Sequence, residues 1–230
     1  MSTKSVIKMT AMAAAFAATA VPLAASAEVG ASLSAASFYL WRGQDVSFGT
    51  AQIAGDLNYS TGGFYTGIWT SSEGGLGSTE TDFYAGFGGE AGGLTYDISY
   101  WTYTYPSYDM GFGELGEVIL GLGMGDFSFT YYAGASWEEN TSDVDPDPDA
   151  AHDLSFGDDN YMTLGYGMGD FGFLVGTWMM EADDSDYTHV DVSYTPVENL
   201  TFTVSKIVSA DVDAVERQDP LFHVGYSFPL

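Results

Sequence analysis

Residues 127–137 read Phe-Ser-Phe-Thr-Tyr-Tyr-Ala-Gly-Ala-Ser-Trp and directly follow Gly125-Asp126. Phe127, Phe129, Tyr131, Ala133, Ala135 and Trp137 share one parity. Ser128, Thr130, Tyr132, Gly134 and Ser136 share the other. Successive side chains of a strand point to opposite faces, so this stretch is a strand with one apolar and one mostly polar face. The same alternation recurs elsewhere. Ile53, Leu57 and Tyr59 oppose Gln52, Asp56, Asn58 and Ser60, and Thr188, Val190, Val192 and Tyr194 oppose His189, Asp191 and Ser193.

The gaps between such runs are alternately tiny and long. Gly62-Gly63, Gly92-Gly93, Gly125-Asp126, Gly169-Asp170 and 196–199 are tiny, while 43–50, 71–80, 105–113, 138–159, 181–186 and 208–219 are longer. A soluble sheet has no reason to keep every short turn on one side. A transmembrane barrel does, with short periplasmic turns, longer external loops and strands of about 9–11 residues. The predicted fold is therefore all-β, a closed antiparallel up-and-down transmembrane barrel. Twelve strands are expected, over about 31–42, 51–60, 64–71, 80–90, 94–105, 115–124, 127–137, 160–168, 171–180, 187–195, 200–208 and 221–230. An even number puts both chain ends on the periplasmic side, and closure leaves no unpaired edge for lipid to meet. Strand one reads least cleanly. With Arg42 inward, Phe38 and Leu40 also point inward, which a β-bulge would repair.

Residues 1–27 carry the marks of a secretory signal peptide: Lys4 and Lys8, an apolar run from Met9 to Val21, and Ala25-Ser26-Ala27 as a cleavage site. The run is shorter than the about 18–20 apolar residues of a spanning helix. The mature domain is expected to be 28–230. At the far end, His223, Gly225, Phe228 and Leu230 match the C-terminal assembly signal of outer-membrane proteins. Leu stands where Phe is commoner. The expected location is the bacterial outer membrane, with lipid, lipopolysaccharide and the barrel assembly machinery as partners.

Lys+Arg number 5 against 32 Asp+Glu. Without Lys4 and Lys8 the balance is 3 − 32 = −29. Such a polyanion excludes nucleic acid as a partner, since phosphates are repelled, and it gathers cations. There is no cysteine, so no disulfide is expected to hold the fold. Parity places Arg42, Asp56, Glu80, Asp82, Asp97, Glu117, His189 and Asp191 on the lumen face. A lumen rich in carboxylates favours cations. Arg42 is expected to pair with one of these acids and brace the wall. Tyr84, Trp101, Tyr103, Tyr105 and Tyr132 also point inward and read as volume filling, with an aromatic track for a solute as the other option. Trp69 and Trp178 share the inward parity.

Loop 138–159 holds nine carboxylates, among them Asp143, Asp145, Asp147, Asp149 and Asp153. These read as a solvated anionic rim. A loosely held Ca²⁺ is the one ion the loop suggests, although it lacks the spacing of an EF-hand. No cofactor is expected. This longest loop is also the candidate to fold inward as a plug.

Four segments resemble a known family. Ser37-Phe-Tyr-Leu-Trp-Arg-Gly43 is similar to the opening strand of TorF-family porin-like outer-membrane barrels, and Gly63-Phe-Tyr-Thr-Gly-Ile-Trp69 to that family's second hairpin. Glu80-Thr-Asp-Phe-Tyr-Ala-Gly86 and Gly92-Gly-Leu-Thr-Tyr-Asp97, followed by Tyr103-Thr-Tyr-Pro106, are also similar. The resemblance covers about 29–106 and implies a channel-like barrel of unassigned substrate. The expected function is passive diffusion of small cationic or neutral solutes, with a non-conducting structural or adhesive barrel as the alternative. An enzyme is not expected. His189 with Asp191 is the one tempting pair, and no serine motif accompanies it. Monomer and homo-oligomer both remain open.

Overall fold

The computed structural model describes residues 27–72, 79–108, 110–138, 153–180, 185–211 and 219–230. The signal-peptide reading falls almost wholly outside them. The wall is a closed antiparallel barrel of twelve strands. In chain order these are β1 (Glu28–Ala36), β4 (Gln52–Thr61), β5 (Phe64–Ser72), β6 (Thr79–Ala91), β7 (Leu94–Thr104), β8 (Gly116–Met124), β9 (Phe127–Glu138), β10 (Asp153–Met168), β11 (Phe171–Met179), β12 (Tyr187–Val197), β13 (Leu200–Ala210) and β14 (Leu221–Pro229). Each strand pairs with its sequence neighbour, and β1 pairs with β14 to close the ring, Leu33 opposite Phe228.

The alternation drives this arrangement. Ile53, Leu57, Phe127 and Leu164 stand more than half exposed on the outside. Ala54 and Thr163, next to Ile53 and Leu164, are buried on the inside, as are Ser193 and Thr203 of β12 and β13. The core of the molecule is therefore its lumen. Tight turns fit the twist of the wall: Gly62-Gly63 and Gly92-Gly93 have φ of 57°, 89°, 62° and 83°. Two successive positive φ values define the hairpin turn that glycine adopts without cost. All five tight turns lie at the end that holds Glu28 and Pro229, here the turn end. The longer connections lie at the loop end.

Two expectations are corrected. Strand β10 begins at Asp153, inside the stretch expected to be loop, and is bulged between Phe156 and Asn160, with Gly157 at φ 83°. Asp143, Asp145, Asp147 and Asp149 lie outside the described residues.

The second correction is larger. Strand one does not run to Arg42. It ends at Ala36, and Ser37 makes the last ties to the wall, its N–H to the Val224 carbonyl at 2.9 Å and the Val224 N–H to its hydroxyl at 3.0 Å. The chain then turns into the barrel. A small hairpin forms from β2 (Leu40–Trp41) and β3 (Gln44–Asp45). Its turn is Arg42-Gly43, with φ of 47° and 85°. The return limb is knotted on itself. The Asp45 carboxylate accepts from the Ser47 N–H at 3.0 Å and the Gly49 N–H at 2.7 Å, while Ser47 Oγ accepts from the Tyr39 N–H at 2.8 Å. Phe38, Tyr39 and Leu40 are all buried, which no single strand face would allow. The bulge expected there is not needed, because in the lumen both faces of the segment have partners. Burying each of these side chains contributes about 1.5–3 kcal/mol.

Candidate functional site

The hairpin touches the wall on many sides. Phe38 meets His223 of β14 edge-on, with ring centres 5.2 Å apart. Tyr39 meets Trp69 of β5 at 6.1 Å and Trp41 meets Trp178 of β11 at 4.6 Å. Gln44 Nε2 donates to the Tyr187 hydroxyl of β12 at 2.9 Å, and that hydroxyl donates to the Arg42 carbonyl at 2.9 Å. Contacts to β5, β11, β12 and β14 place the hairpin across the lumen. The inward hairpin comes from the first loop; most of 138–159, the segment expected to fold in as a plug, lies outside the described residues.

At its tip, Arg42 Nη2 donates to both carboxylate oxygens of Glu117 on β8, at 2.6 and 2.7 Å. Glu117 also accepts from the Tyr103 hydroxyl of β7 at 2.7 Å. The guanidinium carbon lies 4.9 Å from the ring centre of Tyr132, 4.6 Å from Tyr161 and 4.5 Å from Trp178, with its neighbour Trp41 at 4.7 Å. Four aromatic faces and one carboxylate enclose one cation, each face adding about 2 kcal/mol when desolvated. Burial alone lowers the pKa of Arg42. Its neighbours, Glu117 foremost and Tyr103 and Tyr132 after it, together more than offset this and hold it above the ordinary arginine value.

Beside this cage runs a second polar chain. The Tyr161 hydroxyl is 2.6 Å from His189 Nε2, and His189 Nδ1 is 2.9 Å from Asp191 Oδ1. In the tautomer that carries its proton on Nδ1, His189 donates to Asp191 and its Nε2 accepts from Tyr161. His189 is 1% exposed and lies under Gly43. With both nitrogens engaged, the pair predicted from sequence acts here as a brace for Tyr161 and a seat for the hairpin.

The remaining predicted acids are on lumen-facing positions. Glu80 accepts from the Tyr105 hydroxyl at 2.7 Å, and Asp82 is buried. Asp56 accepts from the Tyr84 hydroxyl at 2.7 Å and from Asn58 at 2.6 Å. Asp97 accepts from the Tyr65 hydroxyl at 2.8 Å. Tyr84 stacks on Trp101 at 3.9 Å and 9°. Closer to the turn end the lumen face carries Gly121, Gly123, Gly165, Gly167 and Ser128, much smaller groups. Among the described residues Arg42 is the one lysine or arginine inside. Lys206 pairs with Val190 on the outer parity. His223 and Gly225 face the lumen, while Phe228 and Leu230 are exposed.

Arg42 belongs to the inward hairpin rather than to the wall strand expected, and its expected pairing with one of the lumen acids is met by Glu117. Parity had already turned Tyr132, Tyr103 and Trp178 inward, and a lone inward arginine must find rings and a carboxylate. Tyr161, Tyr187, Trp41 and Gln44 were missed as its neighbours.

A family model described as a bacterial protein of unknown function (Gcw_chp) matches residues 19–140, just over half of the chain. The chain belongs to the Gcw_chp family. The match takes in β1 to β9, hence the inward hairpin, Tyr103, Glu117 and Tyr132. Tyr161, Trp178, His189 and Asp191 lie beyond the segment matched to the Gcw_chp family. No curated protein matches this chain.

Proposed function

We propose that this protein is an outer-membrane, porin-like channel held in an occluded state by its own first loop. It passes small solutes by diffusion and prefers cations. The observation that carries the reading is the hairpin seated across the lumen, tied by the Arg42–Glu117 pair to a wall otherwise rich in acids. The bands of exposed Ile, Leu, Phe and Val outside a closed barrel support lipid as the surroundings, because a closed ladder satisfies every backbone group. The proposal also takes in export by a cleaved leader and placement in the bacterial outer membrane. No catalytic role is assigned to His189.

The test is single-channel recording in planar bilayers under a KCl gradient, comparing the native chain with one in which 38–49 is replaced by Gly-Ser-Gly-Ser. Ala36 and Gln52 are ladder partners, so a short link closes the wall. The expected result is small or rare steps for the native chain and larger steps for the variant, with a cation-selective reversal potential. A folded, heat-modifiable variant that gives no steps would overturn the channel. It would favour the second reading, a non-conducting structural barrel, which the buried hairpin also suits.

A further inference from the structure

The cage around Arg42 divides into two parts. Trp41 comes from the hairpin. Glu117, Tyr103, Tyr132, Tyr161 and Trp178 come from the wall, on consecutive strands β7 to β11. Tyr132 and Tyr161 are direct cross-strand partners, as are Tyr161 and Trp178, so three rings form one rung of the barrel. Two of these wall groups are anchored by the wall itself. The Tyr161 hydroxyl is anchored by His189, and the Glu117 carboxylate by Tyr103. The Trp178 Nε1–H is buried and meets no partner. The wall thus carries a formed recognition site.

We infer that this rung is a binding site for small guanidinium-type organic cations, which Arg42 fills as a tethered ligand. The inference rests on the channel reading and names its substrate class. Ring faces attract a planar, weakly hydrated, delocalised cation. A hydrated metal ion would exchange its water for aromatic faces and a single carboxylate, too few oxygens for Ca²⁺ or Mg²⁺. An anion would meet Glu117. The cage seats one guanidinium, so a solute that binds must displace Arg42. Arg42 is the hairpin's only ion pair to the wall among the described residues, so the solute that occupies the site removes that tie and loosens the hairpin, which is then held by its ring contacts and the bonds of Tyr187 to Gln44 and the Arg42 carbonyl. The tether gives Arg42 a high effective concentration, so the native chain binds the free solute weakly.

The test is chemical rescue in solution. Arg42→Gly keeps a turn residue suited to φ of 47° and removes the side chain. The detergent-folded variant is titrated with methylguanidinium, with methylammonium or NaCl at matched ionic strength as controls. Tryptophan fluorescence and the thermal midpoint are read. Should this variant not fold, the variant with 38–49 replaced presents the same wall and takes its place. The expected result is a saturable response to methylguanidinium, at least about tenfold weaker with methylammonium and lost when Glu117→Gln is added. An equal response to all three salts, or one that survives Glu117→Gln, overturns the site. These readouts need no conductance. Saturable binding by a barrel silent in bilayers would retain the site and reject the channel. A conducting barrel with no such binding would do the reverse.

Discussion

A β-carbon built on Gly43 would stand 2.6 Å from Cγ of His189. The tip of the hairpin therefore lies flat against the imidazole, at a position whose φ of 85° already favours glycine. Gly43→Val should lift the hairpin from its seat. Overpacking costs about 1–3 kcal/mol and the left-handed backbone roughly 1–2 more. The wall, which does not depend on residue 43, should stay closed. The expected signature is rapid protease cleavage within 38–49 and larger channel steps at an unchanged heat-modifiability shift. Adding His189→Ala should recover part of the loss, because it removes the clash and leaves the backbone cost.

Arg42 and Glu117 are separated by 75 positions and meet at 2.6 Å. Removing one partner of a buried ion pair leaves a bare charge and costs about 3–5 kcal/mol. Glu117→Ala and Arg42→Ala should each strongly reduce hairpin protection. The double variant should lose clearly less than the sum of the two. Simple additivity in a proteolysis or denaturant series would show that the pair contributes nothing to seating.

Leu164 is 58% exposed on the outer wall, on β10, while Thr163 beside it is buried in the lumen. If lipid surrounds the barrel, Leu164→Arg should lower folding stability in vesicles by about 2–4 kcal/mol when the site lies near the midplane. Leu164→Phe should be close to neutral. A tolerated arginine would argue for water at that face.

Asp56 and Asp97 accept hydrogen bonds from Tyr84 and Tyr65 beyond the reach of the Arg42 pair. An asparagine carbonyl still accepts from each tyrosine, and at position 56 the new NH2 is satisfied if the Asn58 amide turns to present its oxygen, so Asp56→Asn with Asp97→Asn should fold. It should move the reversal potential in a KCl gradient toward zero. An unaltered potential would place the selectivity elsewhere in the lumen.

The wall was legible because its rule is local. Period two, paired glycines such as Gly62-Gly63 and an even count determine strands, faces and closure with little help from tertiary context. The hairpin was not legible as such. Its residues Phe38 to Trp41 are four consecutive large side chains, and a period-two reading forces half of them onto the wrong face. That failure of alternation was itself the signal, since a segment buried on both sides needs no alternation. Residues 138–159 attracted attention as a plug because of length. Residues 139–152 lie outside the described residues, whereas the first loop carries apolar surface that favours burial and is seen inside the barrel. Tyr161 escaped for another reason: its role depends on the register of β9, β10 and β11, and no short motif encodes that.

The hairpin follows directly on β1, yet its tip is received by residues of β7 to β12, which are synthesised much later. Its contacts are thus among the longest in sequence that the molecule makes, and contacts of this kind form late. A ring short of any of those strands would have no complete receptacle for Arg42. Seating of the tip therefore waits on the second half of the wall: the first loop can dock only after β7 to β12 have assembled beside one another.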